Sequence, residues 1–265
     1  MCTAAIALDP TIFFDQLAAA ESRLLMLDYD GTIAPFTPDR KRALPYASIP
    51  ELLESISSTC RTRVVLISGR SAREIPPLLG KISWRPEIWG VHGLERLYAD
   101  DRFELAFTTE DSLRAIAEGC GLLDREGLGE LCESKTGAVA VHWRGLSQQH
   151  VDEIRTHCYR LLAPLACKGN LLLSEFDGGA ELKVRGACKG NAVRTLLAES
   201  SSETQAAFLG DDLTDEDAFE ALQDRGLSVL VRASQRPTKA HIWLRPPGEL
   251  LQFLNDWVHA CGGDV

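Results

Sequence analysis

The sequence predicts an α/β fold: a doubly wound parallel sheet with a smaller α+β module inserted into it. Three observations lead there. Short apolar runs without alternation recur along the chain, helical patterns separate them, and a middle stretch alternates apolar with polar residues instead. A run without alternation suits a strand covered on both faces, and strands separated by helices build a parallel sheet. Alternation marks a strand with one face open.

The first run occupies residues 24–28, Leu-Leu-Met-Leu-Asp, and ends in an acid. Residues 63–67 form the second and lead into Ser68-Gly69-Arg70; residues 206–210 form the third and lead into Asp211-Asp212. Residues 227–231 and 241–244 supply two more. Between them, Ser48-x-x-Glu51 reads as a capping box opening a helix with Ile49, Leu52, Leu53 and Ile56 on one face. Residues 189–198 carry Val193, Leu196 and Leu197 on one face, Thr214 with the acids after it opens another helix, and residues 249–258 form the last. In the middle, Val139, Val141 and Trp143 alternate with Ala140, His142 and Arg144, and Glu181 and Lys183 alternate with Leu182 and Val184. An amphipathic stretch at 148–162 lies between those strands. The expected division is therefore a core from 1–101 and 181–265, with the inserted module at 102–180.

Composition narrows the partners. At 265 residues, 45% hydrophobic and 25% charged, the chain can bury a substantial core. A net charge of −10 with no long basic run argues against nucleic acid or an anionic membrane surface. A small anionic substrate stays open, because a metal ion and a few local cations can reverse the potential of one cleft. The eight cysteines (Cys2, Cys60, Cys120, Cys132, Cys158, Cys167, Cys188 and Cys261) form no C-x-x-C pair and suit neither a zinc site nor a disulfide framework. No secretory pattern is visible at the start, and no apolar run nears the roughly 20 residues that span a bilayer. The expectation is a monomer in the reducing cytoplasm.

Ligands of open α/β sheets gather at the carboxyl ends of the strands. Asp28-Tyr29-Asp30-Gly31-Thr32 starts at such an end, and Gly31 permits a turn that returns Asp30 to the same place. Paired carboxylates repel unless a hard divalent cation lies between them. One can then attack phosphorus while the other manages protons. Taken alone, the same residues suit an ordinary acidic turn. Ser68-Gly69-Arg70 offers a hydroxyl and backbone N–H groups to phosphate oxygens, or simply a helix cap, as does Ser71-x-x-Glu74. Lys189 opens a helix, where its charge opposes the dipole; that cost makes sense if it faces an anion, although a surface lysine is the plainer reading. Asp211 and Asp212 are placed for a metal, Glu216 suits the first helical turn by itself, and Asp215 stays open between the two roles.

In this order, the four motifs resemble the haloacid dehalogenase (HAD) superfamily of aspartate phosphatases, over nearly the whole chain. The resemblance implies a HAD-like core with the middle module as its cap, Asp28 as nucleophile, and Asp30 as general acid and base. It implies that Ser68, Gly69 and Lys189 hold the phosphoryl group. It also implies Mg2+ held by Asp28, the backbone carbonyl of Asp30 and Asp211, with Asp212 in support. Finer marks are Leu66-Ile67-Ser68-Gly69-Arg70, Gly90-Val91-His92-Gly93-Leu94-Glu95, Lys135 with Val141-His142-Trp143-Arg144, Glu181-Leu182-Lys183, and residues 210–216. These are similar to the trehalose-6-phosphate phosphatases, and the similarity implies a small sugar phosphate bound by Arg70, His92, Gly93, Glu95, Lys135, His142, Arg144, Glu181 and Lys183. Two positions depart from that family: Val91, where Asn is frequent, and Val184, where Pro is frequent. The competing readings are a phosphatase for sucrose 6-phosphate or mannosyl-3-phosphoglycerate, and a sugar-phosphate sensor without catalysis.

Overall fold

Residues 24–27 are completely buried, as their lack of alternation requires. In the computed structural model, which describes residues 10–37, 40–80, 82–176 and 178–262, they lie in strand β1 (Arg23–Leu27) at the middle of an eight-stranded sheet. Cys2 lies outside the described residues. The chain divides into two units, Met1–Glu104 with Cys188–Val265, and Leu105–Ala187.

The first unit runs α1 (Pro10–Ala19), β1, α2 (Ile49–Ser58), β2 (Thr62–Ile67), β3 (Glu87–Gly90), β4 (Glu95–Leu97) and β5 (Phe103–Leu105). The second unit holds α3 (Glu110–Arg125), β6 (Cys132–Lys135), β7 (Ala138–His142), α4 (Gln148–Ala166), β8 (Leu171–Phe176) and β9 (Gly179–Val184). The first unit resumes with α5 (Lys189–Ala198), β10 (Gln205–Gly210), α6 (Glu216–Leu222), β11 (Gly226–Val231), β12 (Ile242–Leu244) and α7 (Gly248–Ala260).

The larger sheet has the order β12-β11-β10-β1-β2-β3-β4-β5, parallel from β12 to β3 and antiparallel between β3 and β4. Alternate residues of each central strand serve opposite faces. Leu25, Leu27, Leu66 and Leu209 pack with Leu17 of α1, Leu53 and Ile56 of α2, and Leu254 and Trp257 of α7. On the other face, Phe208 meets Phe219 of α6 at 5.7 Å between ring centroids. Trp257 satisfies its buried N–H on Thr62 Oγ1 at 3.1 Å. Each of these side chains, fully buried, contributes about 1.5–3 kcal/mol. Chain order reverses at β1: β2 and β3 lie on one side, β10 and β11 on the other. The carboxyl ends of β1 and β10 therefore form the switch-point crevice where ligands bind.

The second unit carries a four-stranded antiparallel sheet, β6-β7-β9-β8. Helices α3 and α4 cover one face; a Cβ added at Gly119 of α3 would lie 3.6 Å from Val139 Cγ1. No helix among the described residues is long and apolar enough to cross a membrane.

Three local expectations change. The division expected after residue 180 falls instead after Ala187, because β9 pairs along its length with β7 and β8. Ser48 forms no capping box: at φ 69° its hydroxyl makes no cap hydrogen bond. The segment after Arg70 is a short 3-10 turn, Ala72–Glu74, and Ser71 Oγ donates to Glu95 Oε2 at 2.8 Å instead of capping it.

Candidate active site

Asp28 follows β1 directly. Its backbone N–H donates to Leu209 O at 2.8 Å, pinning it at the edge shared by β1 and β10. Lys189, the first residue of α5, is buried as well. Its Nζ lies 2.6 Å from Asp28 Oδ1 and 2.7 Å from Asp215 Oδ1. Thr32 Oγ1 approaches Asp28 Oδ2 at 3.4 Å.

Asp211 follows β10, and Asp215 ends the 3-10 turn Leu213–Asp215 before α6. Asp215 is an organiser: its Oδ2 accepts the N–H groups of Asp211 and Asp212 at 3.0 Å each, while Oδ1 takes Lys189. Two glycines make room for this. A Cβ at Gly31, where φ is +85°, would stand 2.3 Å from Asp211 Oδ2, and one at Gly210 would stand 2.4 Å from Asp215 Cγ.

Carboxylate oxygens of Asp28, Asp211 and Asp215 lie within 4.8 Å of one another. Three acids thus surround one ammonium. Burial, then the Asp28 and Asp215 charges, push the Asp211 carboxyl up to about 9. Burial and Asp215 push Asp28 up to about 6 against the opposing pull of Lys189. Burial pulls Lys189 down, but the two carboxylates more than offset it and raise it overall. Both oxygens of Asp211 are buried with no hydrogen-bond donor facing them. A hard divalent cation fits this donor set, because it supplies the charge that the cluster lacks to the oxygens that have no partner. Asp215 already accepts three hydrogen bonds and Asp28 Oδ1 faces Lys189, so the Asp211 oxygens are the ones without a partner.

The side chains of Asp30 and Asp212 are engaged outside this cluster of three carboxylates. Asp30 directs both carboxylate oxygens to Arg70, leaving only its backbone carbonyl for a ligand role. Asp212 is exposed, and its carboxylate accepts the Asp215 N–H in a capping box. The helix expected to open at Thr214 is preceded by this turn, and α6 itself begins at Glu216.

Ser68 follows β2 directly, with its N–H on Trp89 O at 2.8 Å and its Oγ accepting the Arg70 N–H at 3.1 Å. Gly69 is exposed beside the His92 ring; a Cβ there would meet His92 Cε1 at 2.7 Å. Gly93 packs against the start of α5, where its Cβ would stand 3.0 Å from Cys188 O. Glu95, expected to contact substrate, is buried and braces the turn instead, accepting Ser71 Oγ at 2.8 Å and the Ala72 N–H at 2.7 Å. Val91 has φ 48° and His92 φ 54°, the left-handed region. A β-branched residue there is strained. Val91→Asn is expected to stabilise the protein by about 1 kcal/mol, read as a rise of about 2–4 °C in a thermal melt. An unchanged or lower melting temperature would contradict this.

In the second unit, register places Lys135, His142, Glu181 and Lys183 on the sheet face opposite the helices. Glu133 joins them, 3.2 Å from Lys135 and 3.1 Å from His142, and Lys183 lies 3.2 Å from Glu181. Arg144 lies past the end of β7, exposed and beside Gly178, so it does not share their face by strand register. Sequence reasoning left Asp215 open and passed over Thr32 and Glu133. The signal for Glu133 was its i, i+2 spacing to Lys135.

A parallel sheet with its acids at the β1/β10 switch point is the haloacid dehalogenase-like hydrolase fold. The structure of Aspergillus fumigatus trehalose-6-phosphate phosphatase has this fold with a TM-score of 0.75, at 24% identity over 98% of this chain and 99% of that one. The family model described as trehalose-phosphatase matches residues 26–246. Trehalose-6-phosphate phosphatase of Escherichia coli is 30% identical over 207 residues, 77% of this chain and 75% of that protein. The chain belongs to the trehalose-phosphatase family. Trehalose-phosphate phosphatase of Mycobacterium marinum is 26% identical over 86% of this chain, which spans 60% of that longer relative.

Proposed function

We propose that this chain is a Mg2+-dependent phosphatase that hydrolyses trehalose 6-phosphate through an aspartyl-phosphate on Asp28. The observation that carries the reading is the buried Asp28 carboxylate, 2.6 Å from Lys189 and beside the unpartnered Asp211. A phosphoryl group needs charge neutralisation and an in-line nucleophile more than any other help. Lys189 offers a fixed cation, and Ser68 and Gly69 offer a hydroxyl and a backbone N–H at the end of β2. Mg2+, held by Asp28 and Asp211, would supply further positive charge at the phosphoryl oxygens. Asp28 attacks phosphorus, Asp30 protonates the departing sugar oxygen, and Asp30 then takes a proton from the water that hydrolyses the aspartyl-phosphate.

Metal binding has a readout apart from turnover. Mg2+ is expected to raise the melting temperature, by about 2.7 kcal/mol of stability at a concentration 100 times its Kd. Asp211→Ala should abolish that shift. Hydrolysis that persists in a chelated, metal-free sample would refute the metal dependence.

The sugar is assigned to the polar face of Lys135, His142, Glu181 and Lys183, which offers the donors and acceptors that disaccharide hydroxyls require. The names of the relatives support trehalose as the sugar. The seven cysteines among the described residues are free thiols, which supports a cytoplasmic site of action. The test is phosphate release from a panel of sugar phosphates. Trehalose 6-phosphate should be preferred strongly over glucose 6-phosphate and sucrose 6-phosphate. Glu181→Ala should lower kcat/KM for trehalose 6-phosphate by about 10²-fold and leave p-nitrophenyl phosphate within a fewfold. Equal damage to both substrates would remove Glu181 from sugar recognition.

A further inference from the structure

We infer that Arg70 is a positioning residue for Asp30: its guanidinium fork orients the carboxylate that exchanges protons in both half-reactions, in place of the substrate contact that the motif suggests. The inference rests on the proposed function for the role of Asp30.

The geometry is specific. Arg70 Nε donates to Asp30 Oδ2 and Nη2 to Asp30 Oδ1, both at 2.6 Å, the parallel two-bond arrangement that fixes a carboxylate in plane. The Arg70 side chain is 4% exposed and that of Asp30 30%. Asp30 therefore spans the buried fork and open space, whereas the arginine does not reach that space itself. The fork is held in turn. The guanidinium lies over the Tyr29 ring at 5.5 Å, and Tyr29 is buried with its hydroxyl on Ala43 O at 2.8 Å. The Arg70 backbone is tied at both ends, its N–H to Ser68 Oγ at 3.1 Å and its carbonyl to the Val91 N–H at 2.7 Å. The turn that faces the phosphoryl group thus also holds the proton carrier.

The chemistry follows from the two oxygens. In the first half-reaction, a bond forms between Asp28 and phosphorus as the bond to the leaving oxygen breaks, and the Asp30 carboxyl gives that oxygen its proton. Asp30 is then a carboxylate, and the fork receives both of its oxygens. In the second, a water oxygen bonds to phosphorus, its proton passes to Asp30, and the bond to Asp28 breaks with its electron pair on Asp28. A proton on Asp30 opens one of the two hydrogen bonds; the other keeps the carboxyl in register. Misplacing a group of this kind costs about 10²-fold, within the about 10²–10⁴-fold that acid–base catalysis contributes.

The experiment compares Arg70→Ala, Arg70→Lys, Asp30→Ala and the Asp30→Ala, Arg70→Ala double variant on a sugar phosphate and on p-nitrophenyl phosphate, whose leaving group needs no proton. For Arg70→Ala on the sugar phosphate, kcat should fall about 10²-fold with KM within a fewfold. On p-nitrophenyl phosphate it should show a burst of nitrophenolate followed by slow turnover, because only the attack of water is impaired. Arg70→Lys or added guanidinium should restore part of the rate, and the double variant should be no slower than Asp30→Ala. A raised KM at unchanged kcat, additive losses in the double variant, or loss on both esters with neither burst nor rescue would overturn the inference. Should Arg70→Ala fail to fold, Arg70→Lys and Arg70→Gln carry the same comparison. A wild-type protein inactive on every sugar phosphate would sink the substrate reading, while the nitrophenolate burst would still decide the role of Arg70.

Discussion

Asp28→Asn is expected to reduce phosphate release by about 10⁴-fold or more while the protein melts no lower than wild type. The catalytic half of this rests on chemistry: an amide cannot form the acyl phosphate. The stability half rests on the cluster. Asp28, Asp211 and Asp215 crowd one ammonium, and burial has already pushed Asp28 and Asp211 well above the usual carboxylate range. An amide at 28 removes one of the crowded charges, keeps an oxygen for Lys189, and brings an N–H donor to a cluster in which Asp211 has none. Phosphate assays and thermal melts on the same purified protein check both halves. Turnover near the wild-type rate would end the aspartyl-phosphate proposal. A sharply lowered melting temperature would mean that Asp28 mainly supports the fold.

Asp215→Ala should act in the opposite way, through structure first. Asp215 is completely buried and accepts three hydrogen bonds, from Lys189 and from the backbone N–H groups of Asp211 and Asp212. Truncation strands the buried Asp211 N–H and the part-buried Asp212 N–H, and removes one of the two carboxylates beside Lys189. Breaking a buried pair from one side costs about 3–5 kcal/mol, or about 6–20 °C in melting temperature. Asp215→Asn should lose less, since its amide oxygen can still accept the two backbone donors. Activity and the Mg2+-induced thermal shift should both weaken in Asp215→Ala, because the loop carrying Asp211 loses its anchor. Wild-type stability in Asp215→Ala would show that the network contributes little.

The parallel strands were legible because their runs are apolar on both faces, and so was the order of the motifs, because each follows a strand directly. The short strands β3, β4 and β5 at one end of the sheet were not: they hold three or four residues each, too few for a period to show. Helix α3 was also missed, although Thr109 caps it by accepting the Ser112 N–H at 3.2 Å.

Within the site, the sequence by itself determined which chemistry was available. Asp28, Lys189 and Asp211 could be assigned together because each stands at the end of a strand or the start of a helix on one edge of the sheet, and backbone topology alone brings such positions together. The tertiary structure decided how the remaining polar groups are divided. Asp212 and Asp215 are the same residue type three positions apart, yet one caps the turn in solvent and the other anchors Lys189 in the core. Glu95 and Arg70 look like substrate contacts in the chain and become a brace for Ala72 and a fork for Asp30 in the fold. The reason is that local spacing fixes a residue's position along the backbone, whereas a buried polar side chain must find a partner, and that partner comes from a distant segment: Arg70 meets Asp30 across 40 residues, and Lys189 meets Asp215 across 26.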